Sequence, residues 1–182
     1  MKIKSNYKIY SLLDLPFQES NRNHIEEIFQ ILEQRFSLKR NSKQKLTDLG
    51  SGDGRIIIHA GLNYGILSVG YEINPDLIKE AKEHINLLKY ENIYKIRDYR
   101  KIKIKMGDIF NLSLKKFDFI YIYSLPTMQI FLNHVFKTAK RGAIFISYKY
   151  PLKNVKIILK FEQKIVHKNG NNPVETFFYR KI

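Results

Sequence analysis

The sequence contains no cysteine. That absence excludes disulfides, thiol nucleophiles and thiolate metal sites, and it suits a reducing compartment. Long apolar runs are missing as well. The longest, such as residues 119–123, fall far short of the roughly 20 residues a membrane-spanning helix requires. The opening residues Met1-Lys2-Ile3-Lys4-Ser5-Asn6 are polar and lead into no apolar signal-peptide core, so the chain reads as cytoplasmic. There is no internal repeat and no low-complexity segment. Acidic residues are scarce beside basic ones, 17 against 32, for a net charge of +15. Such a surplus can mark a footprint for nucleic acid or another polyanion. Here lysine outnumbers arginine 24 to 8, isoleucine and asparagine are abundant, and the lysines are scattered. That pattern fits codon usage in an AT-rich genome better than a nucleic-acid arm. What remains, 182 residues with 44% hydrophobic and 27% charged, is one globular domain with a substantial core.

Periodicity then divides the chain. Ile25, Ile28, Phe29, Leu32 and Phe36 fall at helical spacing behind Asn23, a cap candidate, with Glu26, Glu27 and Glu33 on the other side. Residues 45–49 read as a strand running into the turn Gly50-Ser51-Gly52-Asp53-Gly54, and 55–63 as a short helix. A second strand, 67–73, closes at Asn74-Pro75, and proline opens the helix 76–89. Strands follow at 102–106, 117–123 and 142–148, with a helix over 126–138. The apolar run 117–123 predicts a central strand buried on both faces. Two last strands, 155–166 and 174–180, flank Asn169-Gly170-Asn171-Asn172-Pro173 as a closing hairpin. The alternation predicts an α/β fold: a mostly parallel seven-stranded sheet with helices on both faces and an antiparallel C-terminal edge hairpin. In such folds ligands sit beyond the C-terminal strand ends.

The residues just after the strands carry the chemistry. Asp48-Leu49-Gly50-Ser51-Gly52-Asp53-Gly54-Arg55 offers a sharp backbone turn and a following helix N-terminus. A dinucleotide fingerprint would place a third glycine where Arg55 stands, which disfavours a nicotinamide enzyme. Glu72 ends the second strand, 24 residues after Asp48, where a carboxylate can accept two ribose hydroxyls; a solvated strand-end glutamate is the plain alternative. Gly107-Asp108-Ile109 follows the third strand, where a turn aspartate is equally ordinary. The five histidines, His24, His59, His84, His134 and His167, are dispersed without metal-ligand spacing and read as surface or satisfied core residues. No metal is expected.

These motifs together resemble class I S-adenosylmethionine-dependent methyltransferases, in which the acidic residue followed by G-x-G-x-G is the first motif. The chain is further similar to the small protein-lysine methyltransferases that include the archaeal broad-specificity enzyme and the mitochondrial ATP synthase c-subunit lysine methyltransferases. Four places carry the likeness: Leu15-Pro16-Phe17-Gln18-Glu19-Ser20, Asp48 through Ile56, Gly70-Tyr71-Glu72-Ile73-Asn74-Pro75, and Ser147-Tyr148-Lys149-Tyr150-Pro151. The resemblance implies a single Rossmann-like methyltransferase domain over residues 1–182: helix and lid 1–44, cofactor-binding core 45–151, hairpin 152–182. It implies S-adenosyl-L-methionine as cofactor, held by Pro16, Phe17, Ser20, Asp48, Gly50, Ser51, Gly52, Gly54, Glu72, Ile73, Asp108 and Ile109. The sequence departs from the family pattern at Glu19, usually proline, and at Lys149 and Tyr150, usually arginine and phenylalanine.

Methyl transfer from a sulfonium is an in-line displacement governed by placement of the nucleophile. A lysine acceptor must first lose its proton, at a cost of about 4 kcal/mol at pH 7.4, and an apolar channel lowers that cost. Tyr123, Ser124 and Pro126, after the fourth strand, are the candidate catalytic residues lining such a channel, with Tyr148 or Tyr150 as its other wall. Ser124-Leu125-Pro126-Thr127 stands where amino-methylating nucleic-acid enzymes carry [DN]-P-P-[FY], which counts against adenine or cytosine. The first reading is a protein-lysine N-methyltransferase acting on a protein partner. RNA or a small molecule as acceptor comes second, since fold does not define the acceptor. A basic binding module without catalysis comes third.

Overall fold

The computed structural model describes residues 19–91, 94–168 and 173–182; Pro16 and Phe17 lie outside the described residues. Helix α1 (Arg22–Arg35) begins at Asn21, whose side chain accepts from Asn23 N–H at 2.9 Å. The cap is thus Asn21 rather than Asn23: the acceptor must precede the first helical residues to reach their free N–H groups. Its buried stripe is Ile25, Ile28, Phe29 and Leu32, each full burial worth about 1.5–3 kcal/mol gross. Then come β1 (Lys45–Leu49), α2 (Arg55–Asn63), β2 (Leu67–Glu72), α3 (Pro75–Tyr90), α4 (Ile96–Tyr99), β3 (Ile102–Met106), β4 (Phe119–Ile122), α5 (Pro126–Gln129), α6 (Asn133–Lys137), β5 (Ile144–Tyr148), β6 (Leu159–His167) and β7 (Val174–Lys181). Asn74 caps α3 by accepting from Asp76 N–H, with Pro75 in the first turn.

Among the described residues seven strands form one sheet in the order β3-β2-β1-β4-β5-β7-β6. The first five strands are parallel, and β7 pairs antiparallel with both β5 and β6. All four residues of β4 are buried, as its apolar run predicts. Alternation along β4 sends Phe119 and Tyr121 into one core and Ile120 and Ile122 into the other. The first core takes the apolar faces of α1 and α2; the second takes Leu132, Val135 and Phe136. Because β2 and β4 lie on opposite sides of β1, the chain leaves β1 and β4 in opposite directions and opens a crevice beyond their C-terminal ends.

Some boundaries differ from the sequence expectation. The segment 126–138 is not one helix: α5 tightens into a 3₁₀ turn, Ile130–Leu132, before α6. Three consecutive apolar residues cannot all face one core, and the tighter turn buries Leu132 while Ile130 and Phe131 stay half exposed. Strand β6 starts at Leu159, not 155, because the N–H groups of Ile158 and Leu159 both bond back to Val155 O. Strand β2 ends at Glu72, since Ile73 N–H is taken by the Glu72 carboxylate. Strand β4 is shorter than 117–123, with Phe117 N–H closing a turn on Leu114 O. Of the hairpin turn, residues 169–172 lie outside the described residues. No helix among the described residues is long and apolar enough to cross a membrane.

Candidate active site

The crevice holds a cavity of about 400 Å³ lined from β1, β2, β4 and the turns that follow them, a volume typical of small-molecule sites. Its floor is the glycine turn. Gly50 and Ser51 N–H both donate to Tyr71 O, at 2.9 and 3.0 Å, and Gly54 N–H donates to Ser51 O at 2.9 Å. Gly50, Gly52 and Gly54 have φ of 84°, 50° and 81°, the left-handed region where only glycine is unstrained. Gly70, on β2, is needed for a different reason: a β-carbon there would collide with the Ser51 side chain.

Glu72 straps this turn to the end of β2. Its Oε2 accepts Gly52 N–H at 2.9 Å, and its Oε1 accepts Ile73 and Asn74 N–H at 2.8 and 2.9 Å. Asp48, Asp53 and Glu72 all line the cavity. Burial, reinforced by the neighbouring carboxylates of Glu72 and Asp53, pushes the Asp48 carboxyl well above its ordinary range. Asp53 is paired with Arg55, whose Nη1 also donates to Ser20 O at 2.8 Å and whose Nη2 meets Glu19 at 2.9 Å. Ser20 Oγ and the Tyr121 hydroxyl share a hydrogen bond of 2.8 Å. Residues 19–21 are thereby clamped to the cavity wall just ahead of α1.

On the β4 side the wall is Tyr123, Ser124, Leu125 and Met128. Tyr123 meets Tyr148 edge-to-face, ring centres 5.0 Å apart. The Tyr148 hydroxyl pairs with His24 Nδ1 at 2.7 Å, and His24 stacks on His167 at 4.1 Å. His167 in turn meets Glu27 at 2.6 Å and Thr176 at 2.8 Å. Burial, then His167, lowers the pKa of His24. Ser51 Oγ and Ser124 Oγ are buried and have no hydrogen-bond partner among the described residues. Two orphaned hydroxyls in one cavity wall are acceptors and donors available to a ligand.

Of the residues predicted from sequence, Ser20, Asp48, Gly50, Ser51, Glu72, Ile73, Ile109, Tyr123 and Ser124 are brought together as cavity lining. Gly52, Gly54, Asp108 and Pro126 are not in that wall. Gly52 is the residue strapped by Glu72. A β-carbon on Gly54 would come within 3.1 Å of Ala81 Cβ. Asp108 accepts Phe110 N–H and the Asn111 side-chain amide, both at 2.9 Å, capping a 3₁₀ turn, while Gly107 and Ile109 on either side line the cavity. Pro126 opens α5. Sequence reasoning missed Asp53, Tyr121 and the clamping role of Arg55; an acidic residue two before an arginine in the turn was the available signal. Among the described residues no group of three or more histidine or acidic side chains could hold a metal.

The chain is similar to known methyltransferases in sequence and in fold. The family model described as the ANTKMT methyltransferase domain matches residues 48–158, more than half of the chain. The human ATP synthase c-subunit lysine N-methyltransferase is 27% identical over 119 residues, covering 65% of this chain and 44% of that protein. A protein-lysine N-methyltransferase of Saccharolobus islandicus is 29% identical over 119 residues, covering 63% of this chain and 69% of that one. The chain spans about half the length of the first of these curated relatives. An RNA methyltransferase from Salinibacter ruber, solved in complex with S-adenosyl-L-homocysteine, superposes with a TM-score of 0.70 at 21% identity, covering 91% and 94% of the two chains. That likeness is one of fold.

Proposed function

The chain belongs to the family of the ANTKMT methyltransferase domain, and from that premise we propose that it is an S-adenosylmethionine-dependent protein-lysine N-methyltransferase. The observation that carries the reading is the meeting, in one cavity, of the strapped glycine turn, the Glu72 carboxylate and the Tyr123-Ser124 wall. The relatives named as lysine methyltransferases supply the acceptor class. In this reading 45–151 is the cofactor-binding core, 1–44 the helix and lid, and 152–182 the closing hairpin.

The residues suit the cofactor. Glu72, with three backbone N–H groups already on its carboxylate, is the acceptor for one ribose hydroxyl; Gly50, Ser51, Gly52 and Gly54 bring the backbone close; Ile73 and Ile109 give apolar flanks for a flat ring. Asp108 and the N–H of Ile109 are assigned to the adenine edge, and Asp48 to the polar end of the amino-acid portion. Ser20, with Pro16 and Phe17 by family resemblance, closes the site from the amino-terminal side. The cofactor supplies an electrophilic methyl on sulfur whose departure needs no protonation.

The chain's own task is to present a neutral amine. In this reading desolvation is the route to the free base. Tyr123, Leu125 and Met128 give that route aromatic and apolar walls, and Pro126 holds them by starting α5. The apolar side chains of Leu125 and Met128 disfavour the ammonium and lower the acceptor pKa.

The test is a cell extract incubated with labelled methyl donor, followed by mass spectrometry of the labelled species. Methyllysine in protein is the expected product; label only in RNA, or on other side chains, overturns the acceptor while leaving a methyltransferase. Under single-turnover conditions the rate should rise about tenfold per pH unit below the acceptor's effective pKa. It should level off well before pH 10 if the channel desolvates the amine.

A further inference from the structure

Lys149 stands at a backbone angle lysine seldom takes, φ +69°, in the region that favours glycine. Its N–H is held by Glu175 O at 2.7 Å, which ties the turn after β5 to β7. From that turn its exposed side chain reaches two tyrosines. Lys149 Nζ lies 5.9 Å from the ring centre of Tyr123 and 5.7 Å from that of Tyr150. The two rings are 6.4 Å apart. Tyr123 is also cavity wall, so a resident ammonium sits against the side of the cavity assigned to the acceptor.

We propose that Tyr123 and Tyr150 form a seat for an alkylammonium group, that Lys149 fills this seat in the resting chain, and that the acceptor lysine displaces it. The inference rests on the lysine reading above and extends it. Aromatic faces attract a cation through their quadrupole, and phenolic oxygens accept its N–H groups. The ring quadrupoles reward the positive charge of a lysine-type cation. The hydrogen bond to Tyr123 raises the Lys149 pKa. Lys149 therefore stays charged and behaves as a placeholder; an incoming lysine docks there likewise as its ammonium and sheds its proton only after moving past the seat to the apolar surface of Leu125 and Met128.

The probe is n-butylammonium, titrated into the full chain without methyl donor and followed by tyrosine ring NMR shifts. Lys149→Met removes the charge at similar length, Lys149→Arg keeps a cation, and Lys149→Gly suits the left-handed backbone should methionine destabilise the turn. The methionine and glycine variants should bind the probe about five- to tenfold more tightly than wild type, the ratio two exposed cation–aromatic contacts support. The arginine variant should match wild type. In turnover with the labelled protein substrate, KM should fall by a similar factor in the methionine and glycine variants while kcat moves far less. Equal probe affinity across all four proteins overturns the seat, and so do methyl groups found on Lys149 itself. If no protein takes label yet the probe series holds, the seat stands and the lysine reading fails.

Discussion

Glu72→Gln is the sharpest perturbation of the cofactor site. The wild-type carboxylate accepts three backbone N–H groups, from Gly52, Ile73 and Asn74. An ionised carboxylate offers about four lone-pair positions, so about one remains for a ribose hydroxyl. Glutamine can keep Oε1 for Ile73 and Asn74, but its amide nitrogen then faces Gly52 N–H, donor against donor. Two separable losses follow. Losing a hydrogen bond to a charged group costs about 1.5–3 kcal/mol, which is about 10- to 150-fold in Kd for S-adenosylmethionine. With Glu72 only 8% exposed, the orphaned Gly52 N–H costs stability of about 1–3 kcal/mol, or about 3–8 °C in Tm for a chain of this size. Titration calorimetry and thermal melting read the two effects independently. A folded Gln variant with unchanged Kd removes Glu72 from the ligand; lost affinity with unchanged Tm shows that the strap does not hold the turn.

Gly52→Val places a β-branched residue at φ 50°; cofactor binding should be abolished while circular dichroism stays native, and equal binding would make the turn merely structural. Asp48→Asn should raise Tm at pH 7. The folded state keeps the Asp48 proton above the pH where the unfolded chain releases it, so wild-type stability falls as pH rises from about 4 through the raised folded pKa. The advantage of Asn should fade at pH 3, and an Asn variant less stable at both pH values would refute the assignment. His59 titrates the other way: burial, then Arg40, lowers its pKa to about 4. Its contribution is complete above about pH 6.5 and is lost as pH falls toward 4, on the order of 2–3 kcal/mol. Denaturant unfolding of wild type and His59→Gln at pH 7 and 4.5 measures it; parallel losses in both proteins would show that His59 is not the group.

Local patterns were the legible part. Strands β1 and β3 and helix α2 match their expected bounds because a short periodic run and a glycine turn define each within a few residues. Helix α4 escapes the sequence because four residues carry no amphipathic stripe. The clamp by Arg55 joins residues 35 apart, and in the sequence that arginine stands out only for spoiling a dinucleotide pattern. His24 and His167 are far apart along the chain, yet they stack face to face, and only the sheet order β5-β7-β6 brings the hairpin back over α1. Tyr121 is hidden by its setting, since a tyrosine in an apolar central strand looks like core until Ser20 is found on its hydroxyl.

Charge shows the same limit from another side. A net +15 suggests a cavity hungry for anions, whereas the cavity floor gathers Asp48, Asp53 and Glu72. Asp53 is neutralised by Arg55 and Asp48 is pushed toward its neutral form, which leaves Glu72 as the carboxylate a cation such as a sulfonium would meet. Surface lysines beyond a Debye length, about 8 Å at physiological ionic strength, contribute little there. They act instead on whatever approaches the whole surface, and an acidic protein and an RNA are drawn alike. In the proposed reading, selection between the two comes from the end of the cavity assigned to the acceptor. There Tyr123, Leu125 and Met128 present aromatic and apolar surface, with Lys149 already lodged against Tyr123 and Tyr150, an arrangement suited to an amine that must lose its water before it loses its proton.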